Sequence, residues 1–235
     1  MDATRRTAVV TGALFLVTEV AAIAGLSLYG PVLDGAAYVV GPGADARVRA
    51  GALCEMVLLV AVIGTGVALY PVIRRRHEAL AIGYVCGRLL EAAVIAVGIV
   101  SVLAVVTLRQ DLAGGAGQAG EASGTATATA LIAVHDWAFL LGPNVALGAN
   151  TLVLAYVMRR TGLVPAWIAL LGLVGGALIC LSAVAVLFGL YEQVSAAGTL
   201  AALPVFAWEV TLAVRLLTRG FAPVPDVAPT QKYPD

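Results

Sequence analysis

Residues 81–106 read AIGYVCGRLLEAAVIAVGIVSVLAVV, and this stretch decides the fold class. Nearly all of its side chains are apolar, and the run exceeds the ~20 residues that a helix needs to cross the hydrocarbon core of a bilayer. Because lipid offers no hydrogen bonds, every backbone N–H and C=O must be satisfied within the segment, which favours a helix. The stretch therefore predicts a transmembrane helix, interrupted near its middle by Arg88 and Glu91.

The composition of the whole chain supports the same environment. Of its 235 residues, 61% are hydrophobic and 12% are charged, and the mean hydropathy is +0.98. Soluble domains carry roughly a quarter charged residues. The formal net charge is zero, so a nucleic-acid partner is not expected. We predict an all-α, polytopic transmembrane helix bundle whose main partner is the lipid bilayer.

Six apolar segments are long enough to span a membrane. They cover about residues 7–29, 51–73, 79–108, 130–158, 164–189 and 197–218. They form one predicted domain, 1–220, followed by a Pro-rich cytoplasmic tail, 221–235, that is predicted to be disordered. A cleavable secretory signal at the N-terminus is an alternative, opposed by Glu19 in the middle of the first apolar segment.

Arginine placement predicts the orientation of the six spans. One set of arginines lies beside the termini and in the two short connections at the same end. These are Arg5, Arg6, Arg74, Arg75, Arg76, Arg159, Arg160, Arg215 and Arg219. The opposite loops contain Arg47, Arg49 and Arg109 among five acidic residues. Because basic loops stay on the cytoplasmic side, both termini are predicted to be cytoplasmic, in a multi-pass protein of the cell (inner) membrane.

Two connections on the opposite side are long. Residues 29–51, YGPVLDGAAYVVGPGADARVRAG, are predicted to be a flexible loop, with a cover over the mouth of the bundle as the alternative. Residues 109–130, RQDLAGGAGQAGEASGTATATA, have the low-complexity composition of a mobile tether.

Apart from Arg215 near the end of the sixth span, seven acidic, arginine or histidine residues fall inside the predicted spans: Glu19, Glu55, Arg88, Glu91, His135, Asp136 and Glu209. A charged side chain at mid-bilayer costs ~2.5–3.5 kcal/mol on insertion scales. These residues must therefore turn inward and find partners. Arg88 and Glu91 are three residues apart, so they lie on one helix face and are expected to pair.

The charges of this set do not balance. Five carboxylates against one arginine, with His135 neutral, would give 1 − 5 = −4. A low-dielectric interior does not carry such a charge, so several acids must be protonated or a cation must bind among them. The fourth span adds Pro143, which is expected to interrupt the helix, and the polar Asn144.

Motifs for the common enzyme classes are missing from the sequence. It contains no Walker loop, no GxGxxG motif that follows a strand, no HExxH and no GxSxG, and Cys54, Cys86 and Cys180 form no CxxC pair. A zinc site would have to use His135 with carboxylates alone, which is a minority pattern. We expect no cofactor and no metal.

Four segments carry a family resemblance: TAVVTGALFLVTEVAAIAG (7–25), GRLLEAAVI (87–95), HDWAFLLGPNVALGANTLVLAYVMRRTGLVPAWIALLGLVGGAL (135–178) and ALPVFAWEVTLAVRLLTRGF (202–221). They resemble the bacterial membrane proteins grouped as domain-of-unknown-function family 4386. The resemblance implies a six-helix integral membrane protein and no established activity. Its recurrent polar positions match Arg88, Glu91, His135, Trp137, Pro143, Asn144 and Glu209.

Three functions are compatible with these residues, and whether the protein is an enzyme stays open. The first is binding or passage of a small cation, a proton or a polar headgroup. The second is an intramembrane enzyme that uses a carboxylic acid as general acid on a lipid or isoprenoid. The third is a structural or regulatory helper. The candidate ligand- or proton-binding residues are Arg88, Glu91, His135, Asp136, Glu55, Glu19, Glu209 and Asn144.

Overall fold

The computed structural model describes residues 3–115 and 118–222, and helices make up most of these ranges. The helices are α1 (Ala3–Leu33), α2 (Asp45–Ile73), α3 (Glu78–Ala113), α4 (Gln118–Leu140), α5 (Leu147–Thr161), α6 (Ala166–Leu187) and α7 (Ala196–Thr218). A π-helical turn, Leu141–Ala146, joins α4 to α5 without a break. With α4 and α5 counted as one unit, six helical units are long and apolar enough to cross a membrane. The predicted all-α bundle of six spans is confirmed.

The six units form a closed ring. Each unit packs against the next, from α1 through α2, α3, the α4–α5 unit, α6 and α7, and α7 packs back against α1. Arg5 of α1 stabilises the contact between α1 and α7, because its guanidinium donates hydrogen bonds to the carbonyl oxygens of Leu216 (2.9 Å) and Leu217 (2.6 Å). We call the end of the ring that holds both ends of the helical domain the near end, and the opposite end the far end.

Two apolar clusters fill the ring at different levels. The near-end cluster includes Phe15, Tyr84 and Trp208. The far-end cluster includes Tyr29 and Val102. Along α1 and α3 the polar residues fall between the two clusters, so the polar site lies between two levels of close-packed apolar side chains.

The helices extend further toward the far end than predicted. α2 begins at Asp45 rather than near residue 51, and α3 ends at Ala113 rather than near 108. Glu55 is consequently ten residues, or ~15 Å, from the start of its helix. A helix starting near residue 51 would place Glu55 about one turn from its end, and that expectation is wrong because Glu55 lies deeper in the bundle.

The prediction of a mobile tether is also wrong, because residues 118–130 are helical. Alanine favours helices, and the threonine hydroxyls here bond to carbonyls one turn earlier, as Thr129 does to Thr125 at 2.9 Å. Gly124 gives Leu112 of α3 room to approach, and Ala128 is fully buried. A Gly/Ala/Thr composition thus serves close helix packing in this segment.

The first far-end loop is held in place rather than flexible. It contains a single 3₁₀ turn, Ala36–Val39, that packs against α3 and α4. Asp45 accepts hydrogen bonds from the Tyr38 hydroxyl (2.6 Å), from Arg109 (2.9 Å) and from Gln110 (2.9 Å). Burial, together with the Asp45 hydrogen bond, raises the pKa of Tyr38. The alternative of a cover at this end of the bundle agrees with these contacts.

The beginning of the predicted tail is ordered. The Ala222 N–H donates a hydrogen bond to the Leu163 carbonyl at 2.8 Å, and Phe221 packs against the near-end cluster. Residues 221 and 222 thus contact the helical domain, and the predicted domain boundary stays a prediction. The rest of the tail, 223–235, lies outside the described residues.

Candidate functional site

Arg88 on α3 is the centre of a buried polar network. Its Nη1 donates to both carboxylate oxygens of Glu91 (3.1 and 3.0 Å), and its Nη2 reaches Glu209 of α7 at 3.4 Å. Its Nε donates to the Tyr84 hydroxyl at 3.0 Å. The guanidinium also lies over the ring of Phe15, 5.6 Å from the centroid, in a cation–π contact. The predicted pairing of Arg88 with Glu91 is confirmed, and it extends to a second acid on another helix.

Asn150 on α5 completes the hydrogen bonding of Glu91, and sequence reasoning missed it. Its Nδ2 donates to Glu91 at 2.8 Å. Gly87 makes this contact possible, because a Cβ at that position would collide with the Asn150 amide oxygen. The available signal was a single amide within the apolar run 146–155. A search restricted to ionisable side chains passes over it.

Glu19 of α1 brings a second acid to Glu209. The two carboxyl groups lie close to each other. An ionised carboxylate is an acceptor only, so two carboxyl groups form a hydrogen bond only when one of them carries a proton. One proton shared between Glu19 and Glu209 would therefore join these two carboxyl groups by a hydrogen bond and remove their repulsion.

These groups line a cavity of about 110 Å³ inside the ring, which we call the inner cavity. Its polar lining consists of Thr18, Glu19, Glu55, Arg88, Glu91, His135 and Glu209. Apolar side chains such as Leu58 and Ile95 form the remaining wall. A water molecule takes ~30 Å³ in the liquid, so the space accepts several waters or a small ion. Six of the eight predicted site residues thus come together around one cavity.

His135 and Glu55 form the far-end part of this lining. Glu55 lies near the His135 ring, and the Tyr29 ring contacts His135 edge-on with 5.7 Å between centroids. Phe139 stacks on the other side at 6.3 Å and an interplanar angle of 9°. The Tyr29 hydroxyl lies beside Glu55, but it makes no hydrogen bond in good geometry with the described residues. The imidazole is thus held by two aromatic rings, with a carboxyl group nearby.

Asp136 and Asn144 do not line the inner cavity. The Asp136 side chain is 64% exposed and touches the neighbouring His135 Nδ1 at 3.4 Å. The prediction that every ionisable residue of the spans turns inward is wrong for Asp136, because adjacent helix positions point ~100° apart. Asn144 lies in the π-helical turn, where it donates to the Phe139 carbonyl at 3.2 Å. The interruption expected at Pro143 takes the form of this turn, which Asn144 stabilises.

A second, larger cavity of about 550 Å³ lies toward the far end, and we call it the far-end cavity. Three acids are among its lining residues: Asp34, Asp136 and Glu192. His135 and Phe139 line both this cavity and the inner one. The two side chains therefore stand between the two spaces.

The residues of the inner cavity are not arranged as a metal centre. Within residues 3–115 and 118–222, no group of three His, Cys, Asp or Glu side chains is placed to hold a metal ion. The three cysteines are free thiols. The chemistry that the geometry offers is proton exchange among carboxyl groups and imidazole, next to a fixed guanidinium.

Comparison with known proteins identifies the family. No curated protein and no solved structure matches the chain. A family model matches residues 10–220, a range that includes every residue lining the inner cavity. The chain therefore belongs to the family described as domain of unknown function (DUF4386), as the sequence resemblance predicts.

Proposed function

We propose that this multi-pass membrane protein binds, or passes, a proton or a small cation at the inner cavity. The observation that carries the proposal is the placement of four glutamates around a single arginine. Fully ionised, Glu19, Glu55, Glu91, Glu209 and Arg88 with neutral His135 would sum to 1 − 4 = −3. Burying unpaired charge is costly, so positive charge must join the site as protons or as a cation.

The contacts divide the acids into two groups. Glu91 is saturated by Arg88 and Asn150, and it joins α3 to α5. Glu19 and Glu55 have no such cationic partner among the described contacts, and both face the cavity. A purely structural helper accounts for the Glu91 group. It does not explain why two further acids, Glu19 and Glu55, line the inner cavity.

The far-end cavity favours an enzyme as the second candidate function. Asp136 and His135 sit at its wall, and about 550 Å³ leaves room for part of a lipid-like substrate. A carboxylic acid beside an imidazole can act as general acid. Binding of a lipid analogue that is lost on Asp136→Asn would favour this candidate over the first.

The orientation belongs to the same proposal. The near-end connections carry Arg74, Arg75 and Arg76, and α5 ends with Arg159 and Arg160. The positive-inside rule then places the near end, with both termini, in the cytoplasm of a bacterial cell. Accessibility of cysteines introduced in the 74–77 turn and in the 36–39 turn to an impermeant thiol reagent tests this, in a variant whose native cysteines are removed.

Calorimetric titration with monovalent cations, together with a count of released protons, tests the ligand. A cation that enters the cavity displaces protons from the carboxyl groups, so binding and proton release occur together. Glu19→Gln should abolish both, whereas Glu78→Gln, at the exposed first residue of α3, should leave both unchanged. If the wild type binds no cation and takes up no protons at Glu19 between acidic and neutral pH, the proposal is wrong.

A further inference from the structure

The far-end and inner cavities meet at His135, which has a carboxyl group on each side. Asp136 is exposed and touches His135 Nδ1 at 3.4 Å. Glu55 is buried, lies near the ring and faces the inner cavity. The imidazole itself is only 3% exposed. A buried histidine thus lies between an exposed acid of the far-end cavity and a buried acid of the inner cavity.

The other elements around His135 add no competing charge in the described contacts. α1 supplies the Tyr29 ring, and α4 supplies Phe139 one turn along the same helix. α3 faces the ring with Gly98, which has no side chain. The backbone is close there, because a Cβ built on Gly98 would lie 3.5 Å from the imidazole. The charged or titratable groups nearest the ring are therefore Glu55, Asp136 and the Tyr29 phenol, and two further acids, Asp34 and Glu192, line the same far-end cavity. A ring packed in this way can exchange protons through its two nitrogens without leaving its place.

We infer that His135 transfers protons between the far-end cavity and the inner cavity, a role that rests on the proposed function. Asp136 takes a proton from solvent and donates it to Nδ1. In the same step the opposite nitrogen, Nε2, releases its proton to the Glu55 carboxylate. Asp136 returns to its ionised form, Glu55 becomes neutral, and the imidazole remains neutral with its tautomer exchanged. Before the next proton, the ring must rotate so that its protonated nitrogen turns toward the inner cavity, and no oxidant or other reactant is required.

This arrangement also explains why the two adjacent polar residues of α4 face different ways. A neutral imidazole donates from one nitrogen and accepts at the other. Because neighbouring helix residues point ~100° apart, Asp136 can stay in the far-end cavity while His135 is buried. Phe139 then fills the rest of the wall between the cavities. Protons pass at His135, while the stacked ring blocks larger solutes.

A pH jump on the purified protein in lipid nanodiscs tests the inference. Time-resolved infrared spectroscopy follows the carbonyl band of protonated carboxyl groups, giving a rate and an amplitude. His135→Gln should slow protonation by at least about tenfold, as expected for loss of a positioned acid–base group, with an unchanged final amplitude. His77→Gln, at the other histidine, in the near-end turn, is the matched control and should behave as wild type.

Two further variants keep the test decisive if His135→Gln folds poorly. Asp136→Asn changes an exposed residue and should also slow the rate. Adding imidazole to His135→Ala should restore the rate, which a packing role would not predict. Wild-type rates in either His135→Gln or Asp136→Asn would overturn the inference. An absence of the carboxyl band from the wild type would instead refute the proposed function.

Discussion

Replacing Arg88 with methionine tests the buried network most severely. Arg88 is 2% exposed, and its guanidinium bonds Glu91, Glu209 and Tyr84. Methionine fills much of the same volume, but it leaves the Glu91 and Glu209 carboxyl groups buried without their cation. Removing one partner of a buried pair costs about 3–5 kcal/mol, so Arg88→Met should lower the free energy of unfolding by about that amount. Reversible unfolding in mixed detergent micelles, followed by helix content, measures it.

The double variant separates the lost pair from lost packing. In Arg88→Met with Glu91→Gln, one of the two unpaired carboxylates is gone, Glu209 remains, and the glutamine oxygen still accepts from Asn150. The double variant should therefore be more stable than Arg88→Met alone. Arg75→Met, at an exposed arginine of the near-end turn, should stay within about 0.5 kcal/mol of wild type. A loss below about 1 kcal/mol for Arg88→Met, the upper range for exposed ion pairs, would refute the reasoning.

Three other changes have defined outcomes. Gly87→Ala should cost about 1–3 kcal/mol in unfolding experiments because the methyl displaces Asn150; Gly83→Ala, where an added Cβ meets nothing described within 4 Å, should be neutral or stabilising, and equal costs would refute the assigned contact. Because the pKa of Tyr38 is raised in the folded state, its contribution is complete below the unfolded value of ~10 and is lost above it; stability should thus fall more steeply at alkaline pH in wild type than in Tyr38→Phe, and parallel curves would contradict this. Asp136→Asn should change unfolding free energy by no more than about 0.5 kcal/mol, since the side chain is 64% exposed; a loss of several kcal/mol would place Asp136 in the core instead.

The sequence predicts what depends on one helix at a time. Hydropathy identifies the six spans, and a spacing of three residues identifies the Arg88–Glu91 pair. The partners contributed by other helices, Glu209 and Asn150, depend on how the ring closes. No local pattern carries that information, because the relative height and rotation of two helices follow from side-chain packing along their whole contact.

The errors have a related cause. Small residues are common both in mobile tethers and in closely packed helices. Composition alone therefore does not distinguish the two, and the prediction of a tether was wrong for residues 118–130. The direction in which the Asp136 side chain points depends on the rotation of α4 about its axis. Because Asp136 points ~100° away from His135, it reaches the far-end cavity and not the inner one. The first far-end loop is ordered by Asp45, whose three donors come from the loop and from α3. Such contacts are visible only once the bundle is assembled.

The central claim is that the acids of the inner cavity hold positive charge in common, beginning with one proton between Glu19 and Glu209. Infrared difference spectroscopy at neutral pH measures this directly through the carbonyl band of a protonated carboxyl group. We predict such a band in the wild type, with intensity that falls in both Glu19→Gln and Glu209→Gln and is unchanged in Glu78→Gln. A wild-type spectrum without the band, or a band whose intensity neither cavity substitution lowers, would contradict the account.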